Sequence, residues 1–391
     1  MRILFLHCAR EWSGTARAFA VAARGLAARG YNVTYLAEPD SIVEQSASRI
    51  ATVASKAGGT DPVAGREVAP FEVVQFSCDG SWFGAAWRLR RSFRRWDTDV
   101  VFVHTEREHL IASTACWLGR RGAVVRRTPA SCQLMMRGEG KLASWLRRTA
   151  YLFASDGDAR IASLPRRAPK PVVAVLGVDA ARYPDRTSVP PSVDGEPTGL
   201  RYIICVYDPT SRGRTATAIR TVSMLSPRHP YLRLIIFGAG SDSEDLRMQA
   251  AALGIMDLVS FLGERDDHLT LMRDAELGWV VAEADTAAYG ILDLMALGVP
   301  VIAAEGGVAE MYVANMISGA LVPAEDAATT AATVVTLLCS DEQRTGMGTA
   351  ARTRVARDFP EHAMIDGFES ALSAASGGGR GSGKGRTRKR E

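Results

Sequence analysis

The segment RILFLHCAREWSGTARAFAVAARGLAARGYNVTYLA, residues 2–37, determines the fold class. Its first apolar run, 2–7, predicts a buried strand, and residues 16–29 then repeat apolar side chains at helical spacing. Gly30 ends that predicted helix, and residues 32–37 form a second strand-like run. Strand, helix and strand in this order predict a βαβ unit, whose two strands are parallel and joined by a right-handed crossover.

The same alternation continues along the chain in two series. Strand-length apolar runs occur at 73–76, 99–104, 123–127 and 171–175, and then at 202–206, 233–237, 259–262, 278–281 and 300–303. Between the series lies DRTSVPPSVDGEPT, a linker composition. We therefore predict an α/β protein with two Rossmann-like, doubly wound parallel-sheet domains facing across a cleft. The expected organisation is an N-terminal domain at 1–184, a linker at 185–198, a C-terminal domain at 199–358 and a C-terminal helix at 359–375.

Composition is that of a globular protein, with 47% hydrophobic and 23% charged residues. The formal net charge of +4 comes from the last twelve residues, which hold six basic side chains and one acid. The remainder is close to neutral, so charge gives no support for a specific nucleic-acid partner. Residues 376–391 are predicted to form a disordered tail, serving either as a solubilising extension or as a tether to anionic lipid or polyanion.

The cysteines do not form a recognisable motif. They are Cys8, Cys78, Cys116, Cys132, Cys205 and Cys339. No CxxC pair occurs, and no histidine lies at ligand spacing, which argues against a zinc site and a disulfide framework and favours reduced thiols. The N-terminus lacks the features of a signal peptide, and no segment reaches bilayer length. We expect a cytoplasmic protein, either free or peripheral at the inner face of the membrane.

Five further segments stand in a recognisable order: WSGTARAF (12–19), LGVDAARYP (176–184), IIFGAGSDSEDLRMQAAALGIMDLVSFLGE (235–264), DLMALGVPVIAAEGGVAE (293–310) and SGALVP (318–323). In this order they resemble glycosyltransferase family 4, the large retaining family of the GT-B fold. The resemblance implies transfer of a sugar from a nucleoside-diphosphate sugar to a hydroxyl acceptor, with retention of configuration. It also implies that neither a metal nor another cofactor is required. The acceptor would be a glycan, a lipid-linked molecule or a small molecule.

The resemblance assigns donor-phosphate binding to the loop CVYDPTSRG, residues 205–213. The family arginine falls on Tyr207 and the family lysine on Arg212. Arginine binds diphosphates well, whereas tyrosine brings no charge, so half of this cationic clamp is missing. Arg214 or an arginine of the first domain would be the replacement. Arg212 as a plain solvated loop residue is the alternative.

The family also has two acids separated by seven residues, and Asp285 and Asp293 stand at that spacing. By resemblance, Asp285 lies near the donor sugar and Asp293 binds the ribose hydroxyls. Tyr289 and Gly290 belong to the same donor-binding segment, although TAAYG differs from the usual Gly-Phe-Gly type of turn. Asp285 as a helix N-cap is the alternative interpretation.

Glycine turns complete the expected donor site. Gly238 and Gly240 would allow close backbone approach to a base or phosphate, and Gly306 and Gly307 would shape the same cleft. Each glycine is equally open to a role in the turn alone. A helix that starts after Gly14 would point its free amides toward the donor phosphates, so Gly14 and Thr15 are assigned to donor binding.

His104 follows a predicted strand and matches a histidine common in the family. We expect it to hydrogen-bond a sugar or acceptor hydroxyl, with a core or capping role as the alternative. A second family histidine is replaced by Pro129. The neighbouring Arg126 and Arg127 are candidates to supply the missing positive charge.

Residues 81–96, SWFGAAWRLRRSFRRW, predict a basic amphipathic helix. Its apolar stripe consists of Trp82, Ala86, Leu89, Phe93 and Trp96. The stripe is typical either of a core-facing helix or of one that lies on an anionic membrane, and WLRRTAYLF, 145–153, repeats the theme.

Two rival functions remain. Tyr207, Pro129 and the altered turn favour a GT-B protein that binds a nucleotide or a partner enzyme without catalysis. A sugar-nucleotide epimerase would need an acid–base histidine arrangement that the sequence does not display.

Overall fold

The computed structural model describes residues 1–56, 71–130, 134, 138–184, 201–207, 212–238, 240–265, 267–280 and 288–377, without the side chains of 53–56, 94–96 and 212–214. The chain forms two compact units. One comprises Met1–Val175 with the chain from Ile365 onward, and the other comprises Leu176–Met364. Residues 176–184 thus group with the second unit. The predicted linker and most of the predicted basic tail lie outside the described residues.

The first unit contains a parallel sheet, which has seven strands among the residues described. They are β1 Arg2–His7, β2 Asn32–Ala37, β3 Glu72–Gln75, β4 Val100–Val103, β5 Ala123–Thr128, β6 Thr149–Phe153 and β7 Val172–Val173. Their order is β3-β2-β1-β4-β5-β6-β7. The helices are α1 Gly14–Ala28, α2 Ile42–Lys56, α3 Trp82–Trp96, α4 Glu106–Gly119, α5 Gly138–Leu146 and α6 Asp156–Ile161.

The second unit repeats this plan with six strands in its described part. They are β8 Arg201–Val206, β9 Leu232–Phe237, β10 Val259–Phe261, β11 Leu277–Val280, β12 Val301–Ala304 and β13 Gly319–Val322. Their order is β10-β9-β8-β11-β12-β13. The helices are α7 Arg212–Leu225, α8 Glu244–Ala252, α9 His268–Asp274, α10 Ala288–Ala296, α11 Ala309–Tyr312, α12 Ala327–Leu338, α13 Asp341–Asp358 and α14 Glu361–Ser376. From Ile365, α14 belongs to the first unit.

Both sheets are parallel and doubly wound, which confirms the predicted fold class. The strand order reverses between β1 and β4 and again between β8 and β11. In open sheets of this kind, ligands bind beyond the carboxyl ends of the strands at such a reversal. We therefore expect ligand-binding residues in the segments that follow β1, β4, β8 and β11.

The core of the first unit is held by aromatic contacts that include its last helix. Phe5 of β1 stacks on Phe102 of β4 with ring centroids 4.7 Å apart, and Phe368 of α14 lies 5.4 Å from Phe102. At the edge of α14, Arg29 pairs with Glu369 at 2.5 Å and with Asp366 at 2.6 Å. Helix α14 is thus part of this unit's core from Ile365 onward.

The apolar stripe of α3 faces the core as far as it is described. Ala86, Leu89 and Phe93 are buried, which confirms the core-facing interpretation for these three residues. The exposed side carries Phe83 and Trp87 instead. No helix in the described part of the chain is both long and apolar enough to cross a membrane.

The grouping of 145–153 with this basic helix was wrong in part. Residues 149–153 form the buried strand β6, because five consecutive side chains there are enclosed by the sheet and its helices. A short apolar run of this length does not by itself distinguish a helix from a buried strand.

Candidate functional site

A buried carboxylate lies inside the second unit, on α10. Asp293 is 2% exposed, and all nine residues of the helix are buried. The hydroxyl of Tyr183 donates a hydrogen bond of 2.5 Å to Asp293 Oδ1. Tyr183 ends the 176–184 segment, just after the 3-10 turn Ala180–Arg182, and its own carbonyl accepts from Arg352 at 3.0 Å. Sequence reasoning selected Asp293 but missed Tyr183, because only the fold joins positions 110 residues apart.

The neighbours of Asp293 on α10 have packing roles. A Cβ on Gly290 would meet Val206 of β8 at 3.0 Å, so the glycine allows α10 to lie close to this strand. The hydroxyl of Tyr289 is 3.7 Å from Met364 Sδ. Asp285 lies outside the described residues, so its sugar-binding role stays a prediction.

Tyr207, which the resemblance aligned with the family arginine, is a core residue. It is 5% exposed and belongs to the apolar cluster of the second unit. Its hydroxyl is buried and has no hydrogen-bond partner within the described parts of the chain. The glycine turn lies against it: a Cβ on Gly238 would come 3.0 Å from the Tyr207 carbonyl, and one on Gly240 would meet the ring at 3.8 Å. Both glycines have positive φ, 126° and 78°.

The rest of the predicted donor site is described only in part. Arg212 begins α7, but its side chain lies outside the description, as does the loop 208–211. Gly306 has a φ of 76° and donates its N–H to Glu310 Oε1 at 2.7 Å. The carbonyl of Gly307 accepts the backbone N–H of Glu310 at 3.3 Å. Glu310 therefore holds this turn closed.

In the first unit, the turn after β1 leads into α1 as the sequence predicted. Ser13 caps the helix and accepts the N–H of Ala16 at 3.2 Å. Gly14 and Thr15 begin the helix, and Thr15 is buried. Arg127 of β5, which is fully buried, donates from Nη1 to Thr15 Oγ1 at 3.1 Å. This places a positive charge beneath the first turn of α1, where the helix dipole also favours anions.

His104 follows β4, and Glu108 fixes its backbone. Glu108 Oε2 accepts the N–H groups of His104 at 2.8 Å and Thr105 at 3.0 Å, while Oε1 accepts the N–H of Cys8 at 2.8 Å. This fully buried carboxylate therefore ties the segment after β1 to the segment after β4. The capping pattern T-x-x-E at 105–108 was visible in the sequence, but the bond to Cys8 was not.

His7 forms a pair with His104 that sequence reasoning missed. Their rings are stacked with centroids 6.1 Å apart. Burial lowers the pKa of His104 to about 4, against the opposing charge of Glu108, and burial also lowers the pKa of His7. Both rings are thus neutral near pH 7. Both nitrogens of His7 and Nδ1 of His104 are buried without a hydrogen-bond partner among the described residues.

The other polar residues near this edge have clearer structural roles. Arg126 Nη2 lies 3.7 Å from Glu106 Oε1, an ion pair at the start of α4. His109 Nε2 contacts Thr149 Oγ1 at 2.8 Å, and burial lowers the pKa of His109 to about 3. Pro129 follows directly on β5.

The expectation that all cysteines remain reduced and apart was wrong for one pair. Cys8 and Cys78 are joined in a disulfide, with Cα atoms 5.8 Å apart. Cys116, Cys205 and Cys339 are free thiols. The pairing follows from the sheet, because the segments after β1 and β3 emerge at the same edge, and a separation of 70 residues conceals this.

Comparison with known families agrees with this architecture. The model described as glycosyl transferases group 1 matches residues 193–354, and the model described as Glycosyltransferase Family 4 matches residues 12–162. The two matches together span most of the chain. The chain belongs to glycosyltransferase family 4. The predicted family assignment is therefore confirmed.

Curated relatives of this family 4 chain match it over part of its length. A phosphatidyl-myo-inositol mannosyltransferase of Mycolicibacterium smegmatis is 31% identical over 187 residues, which cover 46% of each chain. A D-inositol 3-phosphate glycosyltransferase of Corynebacterium efficiens is 32% identical, covering 40% of this chain and 39% of the relative. An N-acetyl-alpha-D-glucosaminyl L-malate synthase of Bacillus anthracis is 27% identical, covering 35% and 36%. The matches span less than half of each relative.

Solved structures show the same fold over the whole length. Anabaena HepE, crystallised with UDP and glucose, has a TM-score of 0.74 at 17% identity, covering 96% of this chain and all of the other. WaaG, a glycosyltransferase of lipopolysaccharide biosynthesis, has a TM-score of 0.64 at 16% identity. These similarities establish the GT-B fold.

Proposed function

We propose that this family 4 protein transfers a sugar from a nucleoside-diphosphate sugar to a hydroxyl acceptor, with retention of configuration and without a metal in the transfer step. The observation that carries the proposal is the carboxylate of Asp293, buried in α10 and held by Tyr183. Asp293 is the only acid of the otherwise apolar helix α10, and a carboxylate is a suitable acceptor for the two O–H groups of a ribose cis-diol.

Charge stabilisation of the leaving diphosphate is assigned to cations at the start of helices. By the resemblance, Arg212 at the start of α7 would be one of them. The helix N-terminus and the arginine both favour developing negative charge, which lowers the barrier rather than merely binding the substrate. Tyr207 contributes packing here, because its buried side chain carries no charge.

The first unit contains buried histidine nitrogens that are available to hydrogen-bond a ligand. The neutral rings of His7 and His104 lie at the sheet reversal between β1 and β4, with three buried nitrogens lacking partners among the described residues. A neutral imidazole can donate one hydrogen bond and accept another, which suits sugar and polyol hydroxyls. We assign these rings to binding a hydroxyl of the sugar or the acceptor.

The proposed mechanism requires no protein nucleophile. The bond from the anomeric carbon to the departing phosphate oxygen breaks as the acceptor oxygen attacks the same face. That phosphate oxygen takes the acceptor proton, and the enzyme contributes orientation and electrostatic stabilisation.

The test is a screen of purified protein against nucleoside-diphosphate sugars, by thermal shift and by product formation. The acceptor panel includes inositol phosphates and phosphatidylinositol, since two of the relatives carry inositol in their names. Asp293→Asn and Arg212→Ala run beside the exposed controls Asp257→Asn and Arg228→Ala. We expect one donor to stabilise the parent and the controls by several degrees and to stabilise the two site variants much less.

The outcomes separate enzyme from binder. A rate of sugar transfer that falls at least tenfold in Arg212→Ala and in Asp293→Asn supports the proposal that the protein is an enzyme. Stabilisation by a donor without transfer to any acceptor supports the rival function, a nucleotide-binding protein whose Tyr207 has replaced the catalytic cation. Equal stabilisation of parent and Asp293→Asn contradicts the site assignment.

We also propose that the outer face of α3 contacts an anionic membrane. Phe83 and Trp87 are 49% and 41% exposed and lie one helical turn apart, and the guanidinium of Arg90 is 4.8 Å from the Trp87 ring. Arg88 and Arg91 on the same helix are exposed. Aromatic and basic residues together suit a headgroup surface.

Vesicle flotation tests the membrane proposal. We expect the parent to bind vesicles containing phosphatidylglycerol more strongly than pure phosphatidylcholine vesicles, and salt to weaken that binding. Phe83→Ser with Trp87→Ser reduces it several-fold, and the control Tyr231→Ser, a residue 73% exposed in the second unit, leaves it unchanged. If the Phe83→Ser/Trp87→Ser double variant and the Tyr231→Ser control bind these vesicles equally well, α3 is not the membrane-binding surface.

A further inference from the structure

Three side chains that the family assignment does not use meet at the edge of the first sheet. Cys8 follows β1 directly, Glu38 follows β2 directly, and Cys78 lies three residues beyond β3. Because the strand order is β3-β2-β1, the glutamate emerges between the two cysteines. One ligand atom from each lies within 4.8 Å of the others.

The glutamate provides the second observation. Glu38 is 2% exposed, and its Oε1 accepts the N–H of Cys78 at 2.5 Å. Its Oε2 is buried and has no hydrogen-bond partner in the described part of the chain. A buried carboxylate oxygen is costly without a donor or a cation. The amide of Cys78 holds the carboxyl group beside the two sulfurs, so the missing partner would be next to them.

We propose that Cys8, Cys78 and Glu38, with the sulfurs reduced, form a binding site for one thiophilic divalent cation, represented by Zn²⁺. Two thiolates and a carboxylate are ligands that this ion prefers. The three ligand atoms already lie within 4.8 Å of one another in the disulfide-bonded state, so the two sulfurs need to separate only slightly after reduction for one ion to bind all three. The ion satisfies Glu38 Oε2 and neutralises most of the charge of three anions, of which Glu38 and Cys78 are buried and Cys8 is half-buried. Three protein ligands leave a fourth position for water or another small ligand.

The disulfide and the ion are alternative states of this site. The structure shows the oxidised state, in which the sulfurs are bonded to each other. Reduction by a dithiol adds two electrons and two protons to that bond, and the metal then displaces the two protons. The ion would fix Cys8 at the start of the segment that leads into α1, as the disulfide does in the oxidised state.

Cobalt titration tests the site, because tetrahedral Co²⁺ bound to thiolate has a charge-transfer absorption and intense d–d bands. Full-length protein is reduced, freed of reductant and titrated with Co²⁺ without oxygen. We expect one equivalent to give both bands and one equivalent of Zn²⁺ to abolish them. Cys8→Ser and Cys78→Ser each lose at least half of the charge-transfer intensity per bound ion, and Glu38→Gln binds at least tenfold more weakly. Cys339→Ser, an exposed free thiol, behaves as the parent.

The oxidised parent provides a control that does not depend on any variant. Treated with an azo-type thiol oxidant, which takes up two electrons and two protons from the thiol pair, it keeps its fold and binds no Co²⁺ at this site. Absence of a charge-transfer band in the reduced parent overturns the proposal. So does a charge-transfer band of the parent's intensity in both the Cys8→Ser and Cys78→Ser variants. Neither result bears on donor binding, which is measured separately.

Discussion

Tyr183 donates a 2.5 Å hydrogen bond to the buried carboxylate of Asp293, although 110 positions separate them in the chain. The bond joins the 3-10 turn region before residue 185 to the helix that follows β11, both within the second unit. Asp293 reaches only one methylene from the helix backbone, so the position of its carboxylate depends on the groups that hold it. Tyr183 is therefore a positioning residue for the proposed ribose contact.

Replacing Tyr183 by Phe tests this role. A hydrogen bond to a buried carboxyl group contributes about 1–3 kcal/mol, so we expect Tyr183→Phe to unfold at lower denaturant and to bind the donor nucleotide roughly tenfold more weakly. The readout specific to positioning is a comparison with a 2′,3′-dideoxy nucleotide. The parent should prefer the normal nucleotide strongly, and Tyr183→Phe should lose most of that preference. An unchanged preference would show that Tyr183 is only structural, and Tyr231→Phe on the surface is the matched control.

Glu108 is expected to be the most sensitive carboxylate in the first unit. It accepts backbone N–H groups from Cys8, His104 and Thr105 while fully buried. Glu108→Gln replaces one acceptor oxygen by a donor amide that would face an N–H group, which costs about 2–4 kcal/mol. Urea unfolding measures the loss. Glu106→Gln, at a partly exposed position on the same helix turn, should cost under about 1 kcal/mol, and equal losses would contradict the explanation.

The stability of the protein should fall with acid because of His104. Its pKa is lowered from 6.5 to about 4 in the folded protein, so the unfolded chain binds more protons in that interval. Stability is then complete above pH 6.5 and declines as the pH falls toward 4, by up to about 1.4 kcal/mol per pH unit from this residue. Urea unfolding from pH 7 to 4.5 checks this, with His104→Asn expected to have a shallower slope. An identical slope in the variant would contradict the assignment, and His229→Asn is a control.

The FGAG turn provides a backbone test. Gly238 has a φ of 126°, and a Cβ there would lie 3.0 Å from the Tyr207 carbonyl. We expect Gly238→Ala to destabilise the second unit by roughly 1–3 kcal/mol. Gly346→Ala is the contrasting case, because this residue lies within α13 with no atom within 4 Å of an added Cβ. That change should stabilise by about 0.5–1 kcal/mol. The unfolding temperatures of the Gly238→Ala and Gly346→Ala variants are compared with that of the parent. Similar changes in both would contradict the explanation that the backbone at Gly238 is strained by a side chain.

The strands that periodicity predicts are the ones with the clearest local pattern. Residues 2–7 and 32–37 form strands with the predicted bounds, because alternation of short apolar runs with amphipathic helices is a local property. Strands β6 and β13 were not identified as strands, since each is a short apolar run next to helix-like or loop-like sequence. Periodicity does not distinguish helix from strand in such short runs, and their secondary structure depends on pairing with the neighbouring strands.

The sequence by itself determined the fold class, the family and the candidates Asp293 and His104, because motifs and periodicity are carried by residues close together in the chain. Only the tertiary structure decided which groups meet: Tyr183 with Asp293, and Cys8 with Cys78 beside Glu38. These pairings depend on strand order, since parallel strands bring their carboxyl ends to one edge whatever their separation in sequence. The burial that makes the histidines neutral likewise comes from packing around that edge and is not encoded in any local pattern.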